Sequence, residues 1–323
     1  RVDGQPAAQG TPLRPGQRLS TQADSSAVLQ LGDGSRVKLM PVTETTLGEH
    51  RRYEIKAAAG NPTGSDDGVF ASTMRLVRGS LDLLASKVMR AKPLEVTTPT
   101  AVIGVRGTQY RVHHADQPQP VTRTEVLEGK VRADAATGAA NAGVDLPAGQ
   151  GTVLQPGSAA PKAIALLPAP SLAGVPARFE RPLVRFQVPG EPAALRVQVA
   201  VDAAFDRVVR DEQVAAGSEV RLAGLADGVW QLRARRVDGL GLAGADATTS
   251  FMLKARPEPP AGIAPRARGK ATAGDVSVAW AENTEAASYR LEVARDAAFG
   301  DVVLRQDSLS GGQTRIALAD PGT

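Results

Sequence analysis

Ala27-Val28-Leu29-Gln30-Leu31-Gly32-Asp33-Gly34-Ser35-Arg36-Val37-Lys38-Leu39 decides the fold class of this chain. Two short apolar–polar runs flank Gly-Asp-Gly-Ser, and the glycines there allow the positive φ of a tight turn, so the stretch reads as a β-hairpin. The same punctuation continues along the whole chain. Short period-two runs are broken by Gly, Pro and Asp, and no Gly- and Pro-free stretch carries apolar residues at helical spacing. The expectation is an all-β protein.

At 323 residues the chain has room for two or three domains of roughly 100–200 residues each. Its charge is nearly balanced, with 38 Lys and Arg against 34 Asp and Glu. Aromatic residues make up only 3%, which argues against a stacking platform for single-stranded nucleic acid, so no nucleic-acid partner is expected. No apolar run approaches the roughly 20 residues of a membrane-spanning helix. Cysteine is absent, which removes disulfides, thiolate metal sites and cysteine nucleophiles together. Any imidazole chemistry must use His50, His113 or His114. The chain begins at Arg1 without a leader pattern, which reads as a processed or excised N-terminus.

Internal similarity organises the rest. Leu76-Val77-Arg78-Gly79-Ser80-Leu81 lines up with Val126-Leu127-Glu128-Gly129-Lys130-Val131, and Leu13 to Gln17 echoes Leu146 to Gln150. Glycine inside a strand pattern marks a bulge or corner, so the first half reads as a rolled or sandwiched sheet that bends at glycine. Residues 57–68 lack any pattern and read as a long surface loop. Further on, Leu195 to Phe205 aligns with Tyr289 to Phe299 at an offset of 94, and the same offset pairs Phe186 with Trp280 and Val208-Val209 with Val302-Val303. Independent matches at one offset indicate duplicated modules. The second copy has no counterpart of the Gly228–Ala234 strand. The expected organisation is a β domain at 1–158, a Pro/Ala-rich linker at 159–177, a module at 178–255, a Pro/Arg-rich linker at 256–269, and an incomplete module at 270–323.

Thr97-Thr98-Pro99-Thr100-Ala101-Val102-Ile103-Gly104-Val105-Arg106-Gly107-Thr108-Gln109-Tyr110-Arg111-Val112 resembles the signature run of the FecR domain. The Val126–Val131 strand, the Leu146–Gln150 element, the Asp33–Ser35 turn and Leu76–Leu81 follow the order of that family, and the resemblance spans roughly residues 2–158. Tyr110 stands where Phe is commoner. Residues 178–255 and 270–323 are similar to fibronectin type III modules, on Phe186 and Trp280, the alternating central strands, and Leu225 to Trp230. These resemblances imply a FecR-like antiparallel β-sandwich or β-roll followed by two fibronectin type III-like β-sandwiches, the second truncated.

The motif residues Thr98, Pro99, Gly104, Arg106, Gly107, Thr108 and Gly129 are expected to be structural. A phosphate-loop reading fails because the run lacks the Gly-Lys-Ser/Thr ending and no helix follows. Pro99 would start a strand, the glycines would allow bends, and Arg106 would bond loop carbonyls or a carboxylate. His113 and His114 are neighbours on a strand, so their rings point to opposite faces and cannot easily hold one metal ion. Asp66-Asp67 lacks the spacing of a calcium loop. No Gly-x-Ser-x-Gly elbow occurs. No catalytic, cofactor-binding or metal-binding residue is expected, and the chain reads as a non-enzyme without a cofactor. Lys254, Arg256, Arg266, Arg268 and Lys270 read as a solvated basic linker, with weak, salt-sensitive attraction to anionic surfaces as the sharper alternative.

The leading expectation is a non-enzymatic scaffold of the bacterial cell envelope, periplasmic or exported. Its FecR-like domain would bind an envelope protein or a peptidoglycan or other glycan partner, with the fibronectin-like modules as spacers. The resemblance implies this because multidomain FecR proteins often carry a LysM module ahead of the domain. It equally implies an alternative, a periplasmic sensor of the FecR type that regulates a sigma factor. A third reading is an accessory region of a carbohydrate-active enzyme. The oligomeric state is left open.

Overall fold

The computed structural model describes all residues except 24, 54–68, 87–92, 106, 138–142, 158–160, 191–192, 267, 273, 297–298 and 319–323. The expected surface loop at 57–68 and Arg106 therefore lie outside the described residues. Among the described residues there is no helix, and hence none long and apolar enough to cross a membrane. The protein is all-β.

Strands β1 (Arg18–Ser20), β2 (Ala27–Gln30), β3 (Arg36–Leu39), β4 (Glu44–Tyr53), β5 (Val69–Leu84), β6 (Leu94–Thr97), β7 (Ala101–Val105), β8 (Gln109–Ala115), β9 (Val121–Glu128), β10 (Lys130–Ala135), β11 (Val144–Pro147), β12 (Gln150–Leu154) and β13 (Ile164–Ala165) form one continuous 13-stranded sheet. The sheet rolls into two layers, and β5 runs through both. Its first part pairs with β4 and β6, while Gly79 onward pairs with β3 and β8. The crossing point is Gly79, at φ 98°. The second corner is Gly129 at φ 79°: β9 before it pairs with β8 and β12, and β10 after it pairs with β7 and β11. The two copies of the glycine motif are thus two places where a strand runs from one layer into the other. Inward residues of both layers, among them Leu39, Leu76, Leu81, Ile103, Tyr110, Val126 and Leu146, make one core.

Within this sheet the pairing of β5 with β6 departs from the antiparallel expectation. β5 and β6 run parallel, with Thr73 opposite Glu95 and Arg75 opposite Thr97. After the corner β5 continues in the other layer to Leu84, and the chain must cross back before it can lie beside its own first half. A parallel neighbour requires such a crossover.

Beyond this sheet come β14 (Arg178–Phe179), β15 (Val184–Phe186), β16 (Ala194–Ala200), β17 (Val208–Val214), β18 (Val220–Leu222), β19 (Gly228–Val237) and β20 (Ala247–Leu253). They form a sheet in the order β14-β20-β19-β16-β17 and a pair β15-β18. Strands β21 (Gly262–Ala264), β22 (Gly274–Trp280), β23 (Tyr289–Ala294), β24 (Val302–Leu309) and β25 (Gln313–Leu318) form a sheet β21-β22-β25 and a pair β23-β24.

The sequence repeat is a repeat of backbone. The bulge between Val199 and Ala200 recurs between Val293 and Ala294. Phe205 and Phe299 both sit at positive φ, 55° and 58°. The carboxylate of Asp202 accepts from the amides of Asp206 and Arg207, as that of Asp296 accepts from those of Gly300 and Asp301.

The chain packs as two compact units. Arg1–Ala177, Arg185–Val220 and Val229–Phe251 form the first, and Arg178–Val184, Arg221–Gly228 and Met252–Thr323 the second. In the first, the Pro/Ala-rich stretch after 158 joins the sheet, since Ile164–Ala165 pairs with β12.

Candidate functional site

The signature run lies on β6, β7 and the start of β8. Thr98 follows the last residue of β6 and caps the turn around Pro99: its Oγ1 accepts from the amides of Thr100 and Ala101 at 3.2 and 2.9 Å. Thr122 Oγ1 on β9 is a buried hub, 2.7 Å from Thr98 Oγ1, 2.6 Å from Thr100 Oγ1 and 2.9 Å from His114 Nδ1. The Asp116 carboxylate, 3.0 Å from His114 Nε2, can only accept, so in the neutral ring Nε2 carries the proton and Nδ1 accepts from Thr122. The Thr98 and Thr100 hydroxyls then fill the two lone pairs of Thr122. Thr122→Val strips two donors of their acceptor and His114 of its donor, so it should cost about 1–3 kcal/mol in urea unfolding. A loss within error of zero would show the hub to be incidental.

Gly104 lies mid-strand on β7, where an added Cβ would meet only Pro93 Cβ at 3.6 Å. Gly107 sits at φ 61°. Gly129 is tighter, with an added Cβ 2.6 Å from Thr108 Cγ2 and 3.2 Å from the Gly107 carbonyl. Thr108 is buried, and its carbonyl accepts from the Ala85 amide. Gly107→Val should therefore lower stability by about 1–3 kcal/mol through backbone strain, read as a lower thermal midpoint. An unchanged midpoint would refute the strain.

His113 and His114 point to opposite faces of β8. His113 Nδ1 lies 2.8 Å from Ser80 Oγ, while His114 faces the threonine hub. Among the described residues no group of three or more His, Asp and Glu side chains is placed to hold a metal ion.

The densest polar chemistry lies on the outer face of β5, β8 and β9. Asp82, Arg111 and Glu125 stand in register across these strands, and Ser80 is in register with His113, which faces Arg123. Against this row lies a second one on β17, β16 and β19, where Asp211, Gln198 and Arg233 are also in register. Arg111 reaches Asp246 at 3.1 Å and the carbonyls of Ala243 and Gly244 at 3.0 and 2.6 Å. Glu125 accepts from the Ala243 amide at 3.0 Å. Arg233 lies 3.4 Å from Asp82 and 3.7 Å from Asp246, and Arg235 lies 3.3 Å from Asp246. Gln198 Oε1 accepts from Arg233 and Arg235, its Nε2 donates to Asp211, and Arg196 holds Asp211 through two 2.8 Å bonds. Four guanidiniums thus meet four carboxylates.

Burial sets the electrostatics of this seam. It would raise the Asp82 carboxyl, but Arg235, Arg233 and Arg111 hold it below its ordinary value. For Glu125 burial wins over Arg111 and the carboxyl is raised. Burial pushes Arg235, only 2% exposed, down to about 9, which still leaves it charged at neutral pH. At one flank Asp206 pairs with Arg36 at 2.6 Å and Lys38 at 2.8 Å, Phe205 packs with Met40, and Arg233 stacks over Phe205 at 4.5 Å. At the other, Arg123 donates to the Leu240 carbonyl and Ala245 to that of Leu167.

His113 belongs to this seam. Burial, then Arg196, Arg123 and His114, press it from 6.5 down to about 4. The folded protein therefore holds His113 neutral where the unfolded chain protonates it. Its contribution is intact above pH 6.5 and is lost as pH falls from 6.5 towards 4, by about 3 kcal/mol in all. Urea unfolding at pH 7 and pH 5 checks this. Wild type should lose about 2 kcal/mol more than His113→Gln between the two, and equal losses would remove His113 from the acid response.

Sequence reasoning did not single out the seam. Arg196, Gln198, Arg233 and Arg235 alternate with apolar residues as any solvated strand face does.

Residues 17–132, from β1 into β10, match the family described as FecR protein. The chain carries a FecR domain. The charged face just described is the outer face of three FecR-domain strands, and the match includes every residue of the signature run and Gly129. No curated protein matches the chain. Two solved structures are similar to it, each described as a "putative anti-sigma factor" from Parabacteroides distasonis ATCC 8503. The first is 21% identical over 46% of this chain and 59% of that one, with a TM-score of 0.32. The second is 19% identical over 47% and 68%, with a TM-score of 0.32. The chain thus spans about three fifths of the first of these relatives.

Proposed function

We propose that this chain is a non-enzymatic, partner-binding part of a bacterial signal relay, exported to the cell envelope. The FecR domain at 17–132 carries this reading, since FecR domains are best known as the receiving part of envelope regulators. Two features of the first unit support it. Its imidazoles and motif threonines are spent on internal hydrogen bonds, and its strongest charges are committed to a joint between two sheets. Such a joint holds the FecR domain and the strands of 185–251 in one orientation, which suits relay of a binding event better than chemistry on a substrate. The motif residues Thr98, Gly107, Thr108 and Gly129 serve this function by shaping the fold.

The duplicated module favours a second reading, an envelope scaffold that binds a protein or glycan, because repeated modules extend reach. Deleting the gene and profiling transcripts separates the two. The relay reading expects a defined set of transcripts to change and to be restored by the complementing gene. Unchanged transcripts with altered envelope integrity would favour the scaffold. The basic residues Lys254 and Arg256 argue against a free anionic-surface anchor, being paired with Asp227 and Glu285.

A further inference from the structure

At one end of the charged seam lies a cavity of about 90 Å3, between the outer face of β3, β5, β8 and β9 and the side chains of Arg233 and Asp246 that cover it. Two rows of the sheet meet there. In the inner row Lys38, Asp82, Arg111 and Glu125 stand in register, and all four are engaged by the facing strands and loops. In the outer row Arg36, Leu84 and Gln109 stand in register, with Leu127 beside the bulge between Gln109 and Tyr110. Leu84 is 48% exposed, so the cover ends at this row. The cavity therefore has a charged inner wall, while Leu84 and Leu127 make part of its outer wall apolar.

Its surroundings carry an excess of positive charge. Beside the four guanidiniums and four carboxylates of the seam, this end adds Arg36 and Lys38 against the single carboxylate of Asp206. Burial disfavours the charged form of Glu125, so among these residues at least one positive charge is left unmatched. Asp82 senses the excess: burial would raise its carboxyl, yet Arg235, Arg233 and Arg111 hold it below its ordinary value. The guanidiniums at the cavity also keep bonding capacity in reserve. Arg111 Nε has no hydrogen-bond partner among the described residues and lies 3.6 Å from Glu125, and Arg233 Nη1 lies 3.7 Å from Asp246.

We propose that this cavity is a binding site for a short-chain monocarboxylate, with the carboxylate held by Lys38, Arg111 and Arg233 and the apolar stem against Leu84 and Leu127. At roughly 15 Å3 for each water-sized group, the volume admits about six heavy atoms, which suits a short acid and excludes a sugar or a nucleotide. One negative charge matches the excess, whereas a dianion would exceed it beside Asp82 and Asp246. The leucines favour an acid with a hydrocarbon stem over a bare ion. The site rests on the cavity and its charges and stands whether or not the chain relays a signal.

The test is an amide NMR titration of the full chain at neutral pH with sodium butyrate, against sodium chloride at equal ionic strength. Butyrate should shift the amides of Arg36, Lys38, Gln109, Arg111 and Arg233 saturably, with a Kd on the order of 1 mM, and raise the urea midpoint. Formate, which lacks the stem, should bind at least about tenfold more weakly. Butylammonium, with the same stem and the opposite charge, should leave these amides in place. Lys38→Met, which leaves Arg36 to hold Asp206, should weaken butyrate at least about tenfold. Leu84→Ser, at a half-exposed position that spares the core, should erase the preference for butyrate over formate, and it decides the matter even where Lys38→Met does not fold. Equal shifts from chloride would mean an adventitious ion only and would overturn the proposal. So would the absence of saturation up to about 100 mM butyrate, or tighter binding of inorganic phosphate.

Discussion

Asp246→Ala is expected to destabilise the first compact unit by about 3–5 kcal/mol, the range for breaking a buried ion network by removing one partner. Asp246 is the carboxylate shared by Arg111, Arg233 and Arg235, at 3.1, 3.7 and 3.3 Å. Without it, the same four guanidiniums face Asp82, Asp211 and Glu125, and burial already favours the neutral form of Glu125. An uncompensated positive charge is then left between two sheets, where Arg111 and Arg235 are almost wholly buried. Urea unfolding gives the magnitude, and amide exchange locates it in β8, β9, β16 and β19. Asp145→Ala, in the exposed Lys130–Asp145 pair, should leave the midpoint unchanged and serves as the control. A loss below about 1 kcal/mol for Asp246→Ala would mean that the arginines relax to solvent and the seam is not a joint. Because a packed apolar face would stabilise as well, the network's contribution is orientation: its donors and acceptors match in one register only.

The sequence makes the corners and the repeat legible, and it conceals the seam. Gly79 and Gly129 announce themselves because a glycine inside an alternating strand has few explanations, and both lie at positive φ where the chain changes layer. The offset of 94 is legible because Asp202 and Asp296 cap the same turn, which constrains spacing as well as residue type. Arg111, Arg233 and Arg235 carry no such mark. Alternation tells which side chains share a face, but whether that face meets water or a second sheet depends on residues more than a hundred positions away. The parallel β5·β6 pair is hidden for a related reason, since local pattern specifies a strand and not its neighbour. Phe205 and Phe299 make the limit concrete. They share residue type, turn and φ, yet one is 4% exposed and the other 53%.

Gly79→Ala should be the most damaging single methyl in the first unit. At φ 98° any side chain is strained, at about 1–3 kcal/mol. The new Cβ would also stand 2.5 Å from Thr43 Cα, 2.5 Å from Thr43 Oγ1 and 2.7 Å from the Val42 carbonyl. Two of these three atoms are backbone, and the segment is fixed in place. Thr43 Oγ1 accepts from the Ser80 amide at 3.0 Å and donates to the Ser80 carbonyl at 3.1 Å, while the Thr43 amide donates to Thr21 Oγ1 at 2.9 Å. Relief would require opening the contact that turns β5 from one layer into the other. Overpacking of this kind adds about 1–3 kcal/mol, so the combined loss of about 2–6 kcal/mol is comparable with the whole stability of many domains. The expected result is a large fall in urea midpoint, with exchange protection lost on both sides of the corner, in β4 and β8. Gly104→Ala, whose Cβ would touch only Pro93 at 3.6 Å, should leave the midpoint almost unchanged. If Gly79→Ala loses less than about 1 kcal/mol, the corner is softer than its contacts imply, and β5 is two strands joined by a yielding hinge.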